Sequence, residues 1–129
     1  MNIKLQNKLF DDFPYLYQQK KLSPRHSCLS FGIETGDGWF QLIYDLSKAI
    51  TELNDTVQAC QVKEKFGTLR FYTNSGKPET WNQMNQLIVE AEMLSAETCE
   101  VCGKQGQIRE EGWIVTLCDD CLEDRNASK

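Results

Sequence analysis

Four cysteines near the end of the 129-residue sequence are spaced to bind one metal ion. They form two Cys-x-x-Cys pairs, Cys99/Cys102 and Cys118/Cys121, with 15 residues between the pairs. Two residues between thiolates let one tight turn direct both sulfurs at a single ion, and the intervening residues are enough for a hairpin that returns the second pair. The pattern predicts one tetrahedral Zn²⁺ site. Because four thiolates leave no position open for water or substrate, we expect this zinc to be structural.

Other cysteine chemistries fit the sequence less well. Six cysteines could build a disulfide framework, but no secretory signal is visible, and disulfides seldom persist in a reducing cytosol. A thioredoxin-like redox site would need only one Cys-x-x-Cys pair. Cys28 and Cys60 lie outside the pattern, and we expect them to be free, buried thiols that pack as small hydrophobic groups.

The residues around the cysteines predict a small hairpin and a helix. Gly103 follows the first pair at its turn, and "GQIRE" and "GWIVTL" indicate two short strands with Gly112 at the turn between them. Asp119 and Asp120 suit the first turn of a helix that carries the second pair. Knuckle, hairpin and helix in this order resemble a treble-clef zinc finger, including the finger of the DksA/TraR-type RNA-polymerase regulators. The resemblance covers about 25 residues and implies only the finger class, because no segment is long enough for the coiled coil of those regulators.

Two long stretches have helical periodicity. The first is "GDGWFQLIYDLSKAITELND", for which Asp37 is the expected N-cap. The second, "SGKPETWNQMNQLIVEAEMLSAE", tolerates Pro78 in its first turn. A shorter helix is expected from Leu5 to Asp12, ending before Pro14. The expected buried faces are Trp39, Leu42, Ile43, Leu46, Ile50 and Leu53 on the first long helix, and Trp81, Met84, Leu87, Ile88, Ala91 and Leu94 on the second.

Between the two long helices the sequence predicts a β-hairpin. "VQACQV" and "TLRFYT" are rich in β-branched and aromatic residues, and "KEKFG" between them can turn at Gly67. The order of elements predicts an α+β fold, with two main helices packed on an antiparallel hairpin or sheet and the treble-clef-like zinc module at the C-terminus. We expect residues 1–95 to form the core and residues 96–129 to pack on it as part of one compact unit. Economy of burial further suggests that the zinc hairpin extends the central hairpin into one sheet.

The formal net charge of −5 is concentrated at the cysteine-rich end. Residues 1–95 have ten Lys/Arg and eleven Asp/Glu, whereas residues 96–129 have four Lys/Arg and eight Asp/Glu, a balance of −4. Four thiolates around one Zn²⁺ would add about −2. Because phosphate contacts need a concentrated positive surface, the zinc module is not expected to bind nucleic acid.

The sequence predicts neither a catalytic site nor a small-molecule substrate. His26 and Cys28 lie close together, but a separation of two residues in the sequence does not indicate a catalytic pair. No carboxylates are spaced as an acid and a base, and "TGDGW" lacks the third glycine of a phosphate-binding motif. Gly36 and Gly38 are expected to turn the chain into the helix that follows.

Several tracts together resemble a family of small bacteriophage and prophage proteins. They are "FGIETGDGWFQLI", "QVKEKFGTLRFY", "CEVCG" and "GWIVTLCDDC", spread from Phe31 to Cys121, and "VKEKFG-LRFY" is the most specific. The resemblance implies a mobile genetic element as the setting but no particular activity. No apolar run is long enough for a bilayer, and the start of the chain lacks the apolar stretch of a signal peptide. We therefore expect a protein of the bacterial host cytoplasm, with no membrane contact.

An acidic surface with one tryptophan is the strongest candidate for a binding site. Electrostatic complementarity speeds the encounter with a basic partner, and Trp is enriched among the residues that dominate binding energy. The expected partner is a host protein, inhibited in counter-defence, as by a CRISPR inhibitor, or modulated in transcription or replication. The simpler role for Trp113 is to pack over the zinc site. The predicted surface comprises Glu110, Glu111, Trp113, Asp119, Asp120, Glu123 and Asp124.

The central hairpin offers an alternative, nucleic-acid-binding face. Basic and aromatic residues are mixed there, as they are in proteins that bind single strands. The simpler interpretation, which we favour, is that the basic side chains are a solvated face and the aromatic ones are core. The residues are Lys63, Lys65 and Arg70, with Phe66, Phe71 and Tyr72 beside them.

Overall fold

The computed structural model describes residues 1–74 and 76–127. Helices and strands are both present, which confirms the α+β class. None of the helices in these ranges is long and apolar enough to cross a membrane. The helices are α1 (Ile3–Asp12), α2 (Phe40–Leu53), α3 (Trp81–Ser95) and α4 (Asp119–Ala127), and the strands are β1 (Ile33–Glu34), β2 (Ala59–Lys65), β3 (Thr68–Thr73), β4 (Gln107–Arg109) and β5 (Val115–Leu117).

The central sheet has three strands in the order β1-β2-β3. β2 and β3 form the predicted antiparallel hairpin, in which Val62 lies opposite Phe71. β1 adds to the other edge of β2 in parallel, with Ile33 opposite Val62. A strand of two residues has no periodicity to recognise, so β1 had no signal in the sequence.

The core lies on one face of the sheet, where α3 contacts β3 and α2 packs against α3. Val62, Leu69 and Phe71 are buried there from the sheet side. The predicted apolar stripe of α2 is confirmed, since all of its residues are buried except Leu53, which is half-buried. The buried members are Trp39, Leu42, Ile43, Leu46 and Ile50.

The predicted buried face of α3 is partly wrong. Met84 and Ala91 are buried, and Leu87 and Ile88 pack against the core as half-buried residues, but Trp81 and Leu94 are exposed. In the last turn of α3 the buried position is taken by Ser95, whose hydroxyl accepts a hydrogen bond from the Leu69 N–H at 2.8 Å. This polar contact places Ser95 inside and leaves the neighbouring Leu94 outside.

The expected N-cap role of Asp37 is also wrong. A 3₁₀ turn at Asp37–Trp39 separates this residue from α2. Its carboxylate instead accepts hydrogen bonds from the Asn2 backbone N–H at 2.7 Å and from the Asn2 side-chain amide at 2.8 Å. These bonds hold the pKa of Asp37 below its usual range. Asp37 thus fastens the start of α1, the predicted N-terminal helix, to the segment that leads into α2.

The zinc hairpin does not extend the central sheet, so that hypothesis is wrong. β4 and β5 form a separate two-stranded sheet. The Thr116 carbonyl of β5 accepts a hydrogen bond from the Glu100 N–H at 3.0 Å, so the chain after Cys99 occupies part of the outer edge of β5. The tip of the central hairpin contacts the second hairpin, where the Thr116 hydroxyl donates to the Gly67 carbonyl at 2.5 Å.

Candidate metal centre

The structure brings the four predicted cysteines together. The Sγ atoms of Cys99, Cys102, Cys118 and Cys121 all lie within 4.8 Å of one another, and those of Cys102 and Cys118 are 3.6 Å apart. Four thiolates bound tetrahedrally at a zinc–sulfur distance of about 2.3 Å would have sulfurs about 3.8 Å apart. The distances between the sulfurs are therefore close to those of a tetrahedral four-thiolate metal site.

Local backbone structure aims each pair of sulfurs. In the first pair, the Cys99 N–H donates to the Lys104 carbonyl at 2.7 Å, and the Gly103 N–H donates to the Cys99 carbonyl at 2.9 Å. Gly103 has φ +83°, which confirms the turn expected at this residue. In the second pair, Cys118 precedes α4 and Cys121 lies in its first turn, where the Cys121 N–H donates to the Cys118 Sγ at 3.4 Å. We call residues 99–103, which turn around the first pair, the knuckle.

The thiols of the cluster do not titrate alike. Burial favours the protonated form of Cys99, but hydrogen bonds from the backbone N–H groups of Cys118, Cys102 and Val101 outweigh it and lower the Cys99 pKa to about 7. The pKa of Cys121 is raised, first by the hydrogen bond with Cys118 and then by burial. The Cys99 thiol is thus ready to ionise near neutral pH, while the Cys121 thiol retains its proton. A bound cation would replace that proton, so metal binding should release it.

The knuckle is attached to the core by the segment that leads into α2. The Gly36 N–H donates to the Glu100 carboxylate at 2.8 Å, and the Gly38 N–H donates to the Glu100 carbonyl at 2.7 Å. The Trp39 indole N–H donates to the Thr98 carbonyl at 2.8 Å, and its ring is buried in the core. The tract "GDGW" therefore positions the cysteine cluster as well as leading into the helix.

Gly36 and Gly38 are needed for close approach. A Cβ atom on Gly38 would lie 2.2 Å from the Cys99 carbonyl oxygen and 2.6 Å from the Gly103 nitrogen, and one on Gly36 would lie 2.4 Å from the Glu100 carbonyl oxygen. Gly36 itself has an ordinary φ of −74°. The expectation that these glycines turn the chain missed this second role, for which the sequence has no signal because the partners are about 60 residues away.

The predicted acidic surface is exposed in all its members, which occupy two places. Glu110, Glu111 and Trp113 lie in the loop between β4 and β5, and the other residues lie on α4. Trp113 is 76% exposed, so the simpler expectation that it packs over the zinc site is wrong. The members on α4 are Asp119, Asp120, Glu123 and Asp124; of these, Asp119 accepts an ion-pair bond from Arg109 at 2.8 Å.

The basic residues of the central hairpin share one face of the sheet. Lys63 lies opposite Arg70, and Lys65 follows Lys63 at the two-residue spacing that keeps side chains on one face. This face is opposite to the buried one. The favoured interpretation of the aromatic residues is correct for Phe71, which is core, and wrong for Phe66 and Tyr72, which are exposed.

The remaining cysteines lie together at another surface. Cys28 is exposed and Cys60 is half-buried, so the expectation of buried thiols is wrong for Cys28. Both line one cleft of about 430 Å³, which His26 also lines. His26 Nδ1 is hydrogen-bonded to the Ser23 hydroxyl at 2.8 Å. Burial raises the pKa of Cys60, which makes its thiol slow to react at neutral pH.

We expect two classes of thiol in the metal-loaded protein. A thiol-reactive disulfide reagent should modify Cys28 quickly and Cys60 slowly, because Cys28 is exposed, whereas Cys60 is half-buried and burial raises its pKa. The four clustered cysteines should react only after a chelator removes the metal. The absorbance of the thiolate released from the reagent measures how many cysteines have reacted. The Cys28→Ser variant should lack only the fast phase. Six thiols reacting at one rate before chelation would contradict the metal assignment.

The fold and the site together define an α+β protein with a C-terminal cluster of four cysteines that could hold a metal ion. No protein-family model, curated protein or solved structure matches this chain. A function must therefore be inferred from the surfaces and chemistry of the molecule itself.

Proposed function

We propose that this protein acts by binding another protein, and that a structural Zn²⁺ stabilises the module that carries the binding surface. The observation that supports this proposal most is the exposure of Trp113, the largest side-chain type, in a loop that also contains Glu110 and Glu111. An exposed aromatic residue beside carboxylates suits a partner with a basic surface and an apolar contact.

Zinc is the metal we propose, on the chemistry of the donors. Four thiolates favour a soft or borderline ion, and zinc takes them in a closed tetrahedral shell. Cys99, Cys102, Cys118 and Cys121 would hold it, and its role would be to fold the module and not to activate a substrate. Binding of zinc is coupled to folding in modules of this size, so the surface displayed on it would depend on the metal.

The proposed setting is a bacterial host cell that is infected by a phage or carries a prophage. This agrees with the resemblance of tracts such as "QVKEKFGTLRFY" to small bacteriophage and prophage proteins. A small acidic protein can occupy a basic surface that normally receives nucleic acid. Inhibition of a host defence complex, including a CRISPR complex, and modulation of transcription or replication both fit this mode of action. We propose binding in preference to catalysis because the acidic, aromatic surface suits recognition and the four-thiolate site leaves no open position for substrate.

Charge reversal on the acidic surface is expected to abolish partner binding. In a tagged pull-down from nuclease-treated host lysate, a stoichiometric partner should be captured by the wild type and lost when Glu110, Glu111 and Asp120 become lysine. Lys63→Glu is the control, because it reverses a charge on the basic face of the central hairpin, away from the acidic surface and the residues around Trp113, and should leave capture unchanged. Melting curves of both variants establish that they fold. A partner retained by both variants would show that the acidic surface is not the binding site.

The alternative is binding of single-stranded nucleic acid by the central hairpin. It is favoured by the shared face of Lys63, Lys65 and Arg70 and by the exposure of Tyr72. It is disfavoured by Glu34, which lies beside Lys63 on the neighbouring strand. Under this alternative, capture of the partner would depend on nucleic acid. The variant with Lys63→Glu would then lose capture, and the variant with lysine at positions 110, 111 and 120 would keep it.

A further inference from the structure

Two exposed aromatic side chains line one cleft between the tips of the two hairpins. Phe66 lies at the turn between β2 and β3 and is 62% exposed; Trp113 lies in the loop between β4 and β5. With Gly112 and Ile114 they line a mostly apolar cleft of about 380 Å³. Of these residues, only Trp113 was part of the surface predicted from the sequence.

Phe66 occupies a position that favours other residue types. In the two-residue turn between β2 and β3, Phe66 has φ +54° and Gly67 has φ +85°. Turns of this kind, with positive φ at both central residues, favour Asn-Gly. A bulky residue at positive φ is an outlier that needs compensation from its surroundings, yet most of the Phe66 side chain is exposed to solvent. The aromatic ring is therefore better explained by what it can contact in a partner than by what it contributes to the fold.

The cleft is held in shape by hydrogen bonds at its base. The Thr116 hydroxyl donates to the Gly67 carbonyl at 2.5 Å, which ties β5 to the turn. The Gly67 N–H donates to the Glu64 carboxylate at 2.7 Å, which fixes the turn itself. Because the two walls come from different hairpins and are already joined, a ligand would find the cleft largely formed. Preorganisation of this kind lowers the entropic cost of binding.

The charges around the cleft indicate its ligand. Glu64 lines it, and Glu110 and Glu111 lie in the same loop as Trp113. Among the described residues, Lys65 is the one cation that lines it, and its Nζ lies 5.6 Å from the centre of the Phe66 ring. Acidic groups therefore outnumber basic ones around an apolar centre, which complements an apolar side chain with basic neighbours.

We propose that the cleft between Phe66 and Trp113 receives an apolar side chain from a partner protein, in a segment where that residue is flanked by Lys or Arg. This inference rests on the proposed function and adds to it the anchor point and the kind of segment bound. Apolar pockets with aromatic walls are typical sites for the few residues that dominate the energy of an interface.

Selection of short random displayed peptides on the full-length, metal-loaded protein would test the inference. We expect enriched peptides to contain an apolar residue between basic ones, and their affinity to fall about tenfold or more with Phe66→Asn or Trp113→Ala. Phe66→Asn should retain or raise the melting temperature, because Asn tolerates positive φ. Phe31→Asn is the matched control, since Phe31 is 64% exposed but lies away from the cleft, and it should leave affinity unchanged.

The outcomes separate this inference from the proposed function. Peptides that bind the Phe66 and Trp113 variants as tightly as the wild type would overturn the cleft, and so would a selection with no enrichment. In either case the proposed function would still stand if the protein captured a partner in nuclease-treated lysate and charge reversal at Glu110 and Glu111 abolished that capture. A Phe66→Asn variant with a lower melting temperature would show that the ring is structural. Binding of oligothymidylate that Lys63→Glu abolishes, with no peptide binding, would overturn both proposals in favour of nucleic acid.

Discussion

A Cys118→Ser variant is expected to lose the bound metal and to unfold the C-terminal module. Cys118 is buried, its Sγ lies 3.6 Å from that of Cys102, and it also accepts the Cys121 N–H. A serine hydroxyl does not ionise near neutral pH and cannot replace a thiolate ligand. Structural zinc binding contributes on the order of 10 kcal/mol to folding, which a module with so small a buried cluster cannot replace. That cluster consists of Cys99, Leu117 and Cys118.

Elemental analysis and thermal melting measure this result together. The wild type should contain one zinc per chain, and Cys118→Ser should contain almost none and melt at a lower temperature. Cys28→Ser is the control, because this exposed thiol lies outside the cluster and its loss should change neither quantity. If the wild type contained iron and no zinc, the proposal that the metal is zinc would be wrong. A Cys118→Ser protein with unchanged metal content and melting would refute the four-thiolate site.

The second large effect is expected from Gly38→Ala, at a residue that is not a ligand. The added methyl group would lie 2.2 Å from the Cys99 carbonyl oxygen and 2.6 Å from the Gly103 nitrogen, and both are backbone atoms that cannot rotate away. The knuckle would have to move from the core, which also strains the hydrogen bond between Trp39 and Thr98. We expect the free energy of unfolding to fall by about 3 kcal/mol and a chelator to remove the metal faster.

Gly112→Asn separates this effect from a general sensitivity to glycine replacement. In the part of the chain that the structure describes, no atom lies within 4 Å of the position of a Cβ added to Gly112, and Asn tolerates its φ of +84°. Denaturant unfolding and the rate of metal release should therefore both stay close to the wild type. If Gly38→Ala behaved like Gly112→Asn, the docking of the knuckle against the start of α2 would be incorrect.

The cysteine cluster, the acidic surface and one wall of the proposed cleft belong to the C-terminal module, and this has a functional consequence. β4 and β5 carry the loop with Trp113, while β5 leads directly to Cys118 and α4. Under the proposed function, loss of the metal would disperse the acidic surface and open one wall of the cleft. The cysteines would then be essential for binding without contacting the partner.

Local features of the sequence predicted the elements of this protein well. The spacing of the four cysteines predicted a cluster that the structure assembles within 4.8 Å. The periodicity of α2 predicted its buried face, because such a pattern reflects which side of one element faces the core. The β-branched and aromatic residues of the central hairpin predicted its two strands. Gly67 and Gly103 both adopt the positive φ expected of turns at their positions.

Contacts between distant segments were decided only by the tertiary structure. Gly38 contacts Cys99, Asp37 contacts Asn2, and Thr116 contacts Gly67. In each case the sequence around one residue does not predict its contact with the other. Such contacts depend on how whole elements pack, so a sequence interpreted one element at a time cannot reveal them. For the same reason, the separation of the two hairpins and the cleft between Phe66 and Trp113 emerged only once the elements were in place.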